Sequence, residues 1–256
     1  MAATAAEKPS GASSELSQQR KRYIARIVCA GELCCAVGNT PLISTRAPLI
    51  LKYFAAYSAL EASRLAATTM GNMSSIAAIV ECTVGPVLGR LSDTVGRKKM
   101  LLISPTVQAC CHASVAAFPG IRWVMFVDRV FSGAGLYTHM MLSNAVLSDL
   151  FEGQELARIR VLKQSMFSTA LIIGPLLGNL LGNRIGKPQM AFAVTPIAGL
   201  LALTILSQLP ETLPKHLRRK MDWAACNPLR FLKLFRNRTM TLLTLARGLQ
   251  DAPEFV

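Results

Sequence analysis

Residues 89–99 of the chain read Gly-Arg-Leu-Ser-Asp-Thr-Val-Gly-Arg-Lys-Lys and stand between two long apolar segments. The segment before them, Leu65–Gly89, carries Glu81 as its one charged residue. The segment after them, Met100–Ile121, contains no Asp, Glu, Lys or Arg. A membrane-spanning helix needs about 20 predominantly apolar residues. We therefore expect both segments to cross a membrane, with residues 89–99 forming the polar corner between them.

Four further segments fit the same pattern. Three lack Asp, Glu, Lys and Arg altogether, and the first segment of the chain contains Arg26 and Glu32, which makes it the least certain. The composition agrees, because 52% of the residues are hydrophobic and only 16% are charged, against about a quarter charged in soluble domains. The sequence thus predicts an all-α membrane protein, an up-and-down six-helix transmembrane bundle. The four segments are Tyr23 to about Thr45, Val130–Ser148, Gln164–Asn183 and Pro188–Pro210.

These segments divide the chain into four parts. Residues 1–22, which include a stretch rich in Ala, Ser, Glu and Gln, are predicted to be a disordered cytoplasmic tail. Residues 23–210 form the six-span bundle, and residues 211–238 form a basic cytoplasmic central loop. Residues 239–256 begin apolar but soon become charged, and they are interpreted as the truncated start of a seventh span.

The positive charge of the chain alternates along the predicted loops. The net charge is +14, and Lys and Arg concentrate in the N-terminal segment, the 89–99 corner, the loop before the fifth span and the stretch after the sixth. Lys163 is counted with these loops, and Arg46 with the sparsely charged loops of the other side. Basic loops stay in the cytoplasm, so the N-terminus is predicted to be cytoplasmic. A nucleic-acid-binding protein would gather these charges on one soluble module, and the sequence contains no such module.

The corner also carries a recognisable spacing, Gly-x-x-x-Asp-x-x-Gly-Arg-Lys-Lys. This spacing between two helices resembles the signature loop of the major facilitator superfamily. Glycines at both ends allow close helix packing and a sharp turn, the acid can pair with a cation or a helix N-terminus, and the basic residues can meet anionic headgroups. The resemblance implies a latch on the cytoplasmic side. Its residues are Gly89, Asp93, Gly96, Arg97, Lys98 and Lys99.

The fourth span opens with a second motif, Arg129-x-x-x-Gly133-x-Gly135. The family carries a similar Arg in its fourth helix, and Asp128 beside it offers a counter-charge. A charge within a span is costly and marks function by default. Alternatively, Arg129 lies near the interface and extends its charged end into water.

The fifth span contains Gly174-Pro175-Leu176-Leu177-Gly178. This segment is similar to the Gly-Pro antiporter motif of proton-coupled drug exporters. Its small residues and proline permit tight helix packing and a bend, although a kink of this kind is common in membrane helices generally.

The sixth span ends in Pro210-Glu211-Thr212, which resembles the segment that closes the first half of many facilitator transporters. Together the motifs cover about residues 65–240 and resemble the tetracycline-exporter-like branch of the family. In this reading, Glu81 inside the second span is a further coupling candidate that could carry a proton. A carboxylate paired near the interface is the alternative.

Other functional classes find no support in the sequence. We see no nucleophile–base pair and no metal-binding spacing, so no enzyme, metal or cofactor is expected. The resemblance implies a secondary active, proton-coupled transporter of a small organic solute that works by alternating access in a lipid bilayer. The family pairs two six-helix halves, so the partner would be a missing C-terminal half or a second copy. A non-transporting membrane regulator is the alternative.

Overall fold

The computed structural model describes residues 18–185, 187–214, 216, 218 and 236–251, and all its regular elements there are helices. Their N- and C-terminal bounds follow the apolar segments of the sequence but extend beyond them at several ends. In chain order the helices are α1 Gln18–Asn39, α2 Pro41–Lys52, α3 Ala59–Val95, α4 Arg97–Ala117, α5 Arg122–Leu150, α6 Gly153–Ile185, α7 Gln189–Ser207 and α8 Arg238–Asp251.

Five candidate spans among the described residues are long and apolar enough to cross a membrane. The first combines α1 and α2 into one stretch, Gln18–Lys52, and the others lie in α3, α4, α6 and α7. The helix α5 has 29 residues and is long enough, but it does not meet the same hydropathy criterion because polar side chains interrupt it. Five candidate spans are therefore found among the described residues where six were predicted.

Several predicted boundaries differ from the structure. The first helix begins at Gln18, within the predicted tail, and residues 1–17 lie outside the described residues. Arg46 and Lys163, which the sequence suggested were loop charges, lie inside α2 and α6. Charge alone does not place these two residues in loops, because both side chains pair with carboxylates on other helices. Most of the predicted 211–238 loop is outside the described residues, and α8 has 14 residues, too few to span a membrane by itself.

Local chemistry explains where the helices break. Pro41 starts α2 after α1 ends at Asn39, because proline suits a first helical position, where its missing N–H has no helical partner. At the start of α3, the hydroxyl oxygen of Ser58 accepts from the backbone N–H of Glu61 at 3.4 Å. Gly96 separates α3 from α4 with φ of 121°, a backbone conformation that favours glycine.

The turn between α2 and α3 is tied to the α4–α5 turn. The Tyr53 hydroxyl donates to the Pro119 carbonyl at 2.7 Å, and the guanidinium of Arg122 lies 4.8 Å from the ring centroid of Phe54. Burial raises the pKa of the Tyr53 hydroxyl above its ordinary value, although nearby Arg122 opposes the shift. The hydroxyl therefore stays protonated and able to donate at neutral pH.

The buried core consists of two apolar clusters separated by a polar layer. One cluster gathers Val28, Leu101 and Leu147 at the end of the bundle that contains Gly96, which we call the signature end. The other gathers Leu42, Met125 and Phe192 at the opposite end. The helix segments between them supply buried polar residues, and these form the candidate sites. The polar residues include Glu32, Ser104, Gln108, His112, Asp128, His139, Ser143 and Lys163.

Large apolar side chains also cover the outside of the bundle. Ile79 on α3, Ile172 on α6 and Ile197 on α7 are each more than 60% exposed. Soluble proteins rarely leave such extended apolar faces in water. The chain is accordingly a multi-pass membrane protein, and these faces suit contact with lipid or with other membrane helices.

Candidate functional site: three charged clusters in the bundle

The signature corner, residues 89–99, is held together by Arg97. Its guanidinium pairs with Asp93 at 2.9 Å and with Asp149, at the end of α5, at 3.3 Å. The same guanidinium donates to the Ser92 hydroxyl at 2.8 Å. Arg97 thus joins the end of α3, the start of α4 and the end of α5. All three ionic side chains are partly exposed, which leaves the contacts accessible to water.

Glu211 completes the corner from the segment after α7. Its carboxylate accepts from the backbone N–H of Arg97 at 2.9 Å, so it caps α4 where that helix has no acidic residue of its own in the first turn. Arg218 approaches the same carboxylate at 3.5 Å. A side chain at Gly96 would collide with Glu211 and Arg218. The sequence pointed to the Pro-Glu-Thr segment but not to this capping role.

Gly89 lies where α3 approaches α5, whereas Lys98 and Lys99 lie in the first turn of α4. A Cβ at Gly89 would lie 3.3 Å from the Met141 side chain, so glycine permits the close approach of the two helices. A cleft of about 310 Å³ opens beside them and is lined by Arg90, Asp93 and Arg97, among others. Lys98 is half-buried and Lys99 is exposed.

Glu81 and Arg129 come together between α3 and α5. The carboxylate lies 3.8 Å from the guanidinium, and each side chain is about a quarter exposed (27% and 28%). Gly133 makes room for this pair, because a Cβ there would collide with the Glu81 carboxylate and lie 2.7 Å from Arg129. Two coupling candidates that the sequence placed in separate spans thus form one contact.

Asp128 has different partners from the one that the sequence suggested. Its carboxylate pairs with Arg46 on α2 at 3.0 Å and with the His112 imidazole on α4 at 2.7 Å, and it does not form its ion pair with Arg129. Arg46 also donates to the Ser132 hydroxyl at 3.2 Å. Asp128 and Arg129 face different partners because adjacent helical residues point about 100° apart. Arg46, Asp128, His112 and Ser132 are called the Asp128 cluster.

The small residues of α5 and α6 permit close helix contacts. The Ser104 hydroxyl donates to the Gly135 carbonyl at 2.5 Å, which joins α4 to α5. On α6, a Cβ at Gly174 would collide with Thr40, and one at Gly178 would collide with the Pro41 carbonyl. These collisions show that the Gly-Pro segment packs against the α1–α2 break.

Pro175, within the same α6 segment, contributes its carbonyl to a contact with α2. The Ser44 hydroxyl is within 3.3 Å of the Pro175 carbonyl oxygen. The Gly-Pro segment therefore combines close approach with a polar tie to α2.

The third charged group was missed by sequence reasoning. Glu32 on α1, fully buried, lies 3.7 Å from the Lys163 ammonium on α6 and 3.4 Å from the His139 imidazole on α5. The Ser143 hydroxyl donates to the same carboxylate oxygen at 3.0 Å. Glu32, His139, Ser143 and Lys163 are called the Glu32 cluster. Glu32, a charged residue inside an otherwise apolar span, is the signal from which this group could have been found.

Comparisons with known proteins agree with this architecture. The family model of the Major Facilitator Superfamily matches residues 29–250. The class H tetracycline resistance protein of Pasteurella multocida is 32% identical over 140 residues, which is 55% of this chain and 34% of that protein. The class C tetracycline resistance protein of Escherichia coli is 30% identical over 175 residues, 68% of this chain and 43% of that protein.

A solved structure has the same helical arrangement. The human organic anion transporter MFSD10 (TETRAN) superposes with a TM-score of 0.68 at 20% identity, over 84% of this chain and 55% of that one. At this identity the likeness concerns the fold alone. The chain spans less than half the length of the two tetracycline resistance proteins it matches. The family model, the relatives and the arrangement of the signature corner lead to one conclusion: the chain belongs to the major facilitator superfamily.

Proposed function

We propose that the chain forms the first half of a proton-coupled transporter that moves a small organic solute by alternating access. The observation that carries the proposal is the signature corner, where Arg97 bridges Asp93 and Asp149 and Glu211 caps α4. Partly exposed ion pairs contribute little net stability, about 0–1 kcal/mol each. A latch made of such contacts holds one arrangement of the helices and releases it at low cost.

Charge supports the proposed orientation, with the signature end and the N-terminus in the cytoplasm. Arg20, Lys21 and Arg22 stand at the start of α1, and Arg97, Lys98 and Lys99 at the start of α4. Basic residues near span ends favour the cytoplasmic side. The relatives named for tetracycline resistance support an organic solute.

Coupling is proposed to involve the carboxylates inside the bundle. Glu81 faces Arg129, and Asp128 faces Arg46 and His112. Each pairs a group that can take up a proton with a cation on another helix. A change of protonation therefore alters a contact between helices, which is the link that a coupled transporter requires.

The test is solute flux into vesicles that contain the protein encoded by the longest open reading frame that includes this chain. Asp93→Asn keeps the shape of the side chain but weakens its pairing with Arg97, and we expect it to lose most transport while its abundance in the membrane stays normal. Glu155→Gln, the same kind of change at an exposed carboxylate in the first turn of α6 outside the corner, is the matched control. Unchanged flux in Asp93→Asn would contradict the latch.

A further inference from the structure

The Glu32 cluster lies outside every motif used above, and it joins three helices at one carboxylate oxygen. The Oε2 atom of Glu32 is near the Lys163 ammonium, the His139 imidazole and the Ser143 hydroxyl, and Lys163 also donates to that hydroxyl at 3.0 Å. Glu32 and His139 are fully buried and Lys163 is 2% exposed. The contacts therefore form a closed site between α1, α5 and α6.

We propose that Glu32, His139 and Lys163 form a shared site for one exchangeable proton. The second carboxylate oxygen of Glu32 has no hydrogen-bond partner although it is buried, and the Nε2 atom of His139 lies 3.4 Å from the first oxygen without forming a regular hydrogen bond. Buried polar atoms are normally satisfied, so these two atoms mark unused capacity for a proton. The Nδ1 atom of His139 lies 3.8 Å from the Cys35 thiol, which gives the ring a second neighbour when both nitrogens carry hydrogen.

The titratable groups that face this site lie on α1, α5 and α6. On α1 itself the nearest titratable groups are the Cys29 and Cys35 thiols. The helix α5 supplies His139, and α6 supplies Lys163, with the exposed Arg160 one turn earlier. Arg46 on α2 is paired with Asp128, and α7 contains no titratable residue.

Proton uptake would change the balance of this buried site. Before uptake, the charges of Glu32 and Lys163 cancel and His139 is neutral. After uptake, one positive charge is left over in a site from which water is excluded, which is unfavourable. Lys163 has a long flexible stem, and its neighbours Leu162 and Gln164 are exposed. We therefore expect its ammonium to move outward, which releases α6 from α1.

The two other charged clusters are less suited to this exchange. Both carboxylate oxygens of Asp128 are already paired, one with Arg46 and one with His112, and an arginine stays protonated in proteins. The Glu81–Arg129 pair is partly exposed. Only the Glu32 cluster, among the described residues, combines a carboxylate, an imidazole and an ammonium.

The coupling role of the cluster rests on the function proposed above. Its proton binding, however, can be measured without any solute. The purified full chain in lipid nanodiscs is shifted from about pH 8 to about pH 5, which spans the ordinary range of histidine titration, and the protons taken up per chain are counted. Glu32→Gln and His139→Gln are each expected to take up one proton fewer than the wild type. Each variant is first checked for a single, stable species.

Ser165→Ala is the matched control, because it removes a hydrogen bond to the Val161 carbonyl on the exposed face of α6, outside the cluster, without removing a titratable group, and its proton count should equal that of the wild type. If Glu32→Gln is not stable, the double variant Glu32→Gln, Lys163→Met is used in its place. The double variant removes both charges of the pair at once.

A wild-type count in both single variants would overturn the site, and so would a loss in only one of them, because the proton would then belong to one side chain. Normal solute flux in the wild type, together with an unchanged proton count in the variants, would contradict the proton site but not the transport function. Absent flux in the wild type, together with the expected proton counts, would contradict the transport function but not the proton site.

Discussion

The signature corner and the Glu32 cluster both use charge to join three helices, but they differ in their exposure to solvent. The ionic side chains of the corner keep 14–31% of their surface exposed, whereas those of the Glu32 cluster keep 0–3%. Exposed pairs contribute about 0–1 kcal/mol. Breaking a buried pair by removing one partner costs about 3–5 kcal/mol, because the other charge is left without compensation.

This difference indicates a division of roles within one half-bundle. The corner can open without a large loss of stability, while the Glu32 cluster keeps α1, α5 and α6 together until its protonation changes. The two regions are separated along α1 and α5 by the apolar cluster of Val28 and Leu147. A substitution in one is therefore expected to leave the contacts of the other in place.

The largest effect on stability is expected from Glu32→Gln. The substitution leaves the Lys163 ammonium buried without its carboxylate, so we expect a loss of about 3–5 kcal/mol, seen as a lower thermal midpoint of the purified protein in detergent. Glu152→Gln, a change at an exposed carboxylate near the start of α6, is the control. A midpoint equal to that of the wild type would show that the cluster is not a strong tie.

A smaller loss is expected from Gly178→Ala, which tests the packing of α6 on the α1–α2 break. The added methyl meets the Pro41 carbonyl and the Ser44 hydroxyl, and overpacking of this kind costs about 1–3 kcal/mol. In Gly71→Ala the new methyl has nothing within 4 Å, and stability should be unchanged or slightly higher. Equal behaviour of the two variants in thermal unfolding would argue against the close helix contact.

Sequence reasoning predicted most of the helices, because a long apolar segment is a local feature of the chain. The structure adds where the glycines of the motifs lie: Gly96 has a positive φ between α3 and α4, and Gly174 and Gly178 lie against the α1–α2 break.

It was less successful for charges that meet across helices. Lys163 and Arg46 were interpreted as loop residues because a single charge in a sequence does not reveal its partner. Their carboxylates, Glu32 and Asp128, lie 131 and 82 positions away. The polar side chains that lower the hydropathy of α5, such as His139 and Ser143, belong to the same buried clusters. Only the three-dimensional packing brings these groups together.

The smallest effect on stability is expected at the corner. Asp93→Asn removes one partly exposed partner of Arg97, which keeps Asp149 and Ser92, so we expect a change of at most about 1 kcal/mol in thermal unfolding. Because the same variant is expected to lose most transport, stability and flux should separate here. A large loss of stability would mean that the corner is a structural tie and not a latch.

The most direct test of the contrast is a pair of double-mutant cycles measured on the same purified protein. One cycle combines Glu32→Gln with Lys163→Met, and the other combines Asp93→Asn with Arg97→Gln. We predict a coupling free energy well above 1 kcal/mol for the buried pair and below about 1 kcal/mol for the corner pair. Equal coupling energies, or a larger one at the corner, would contradict the division between a fixed tie and a latch.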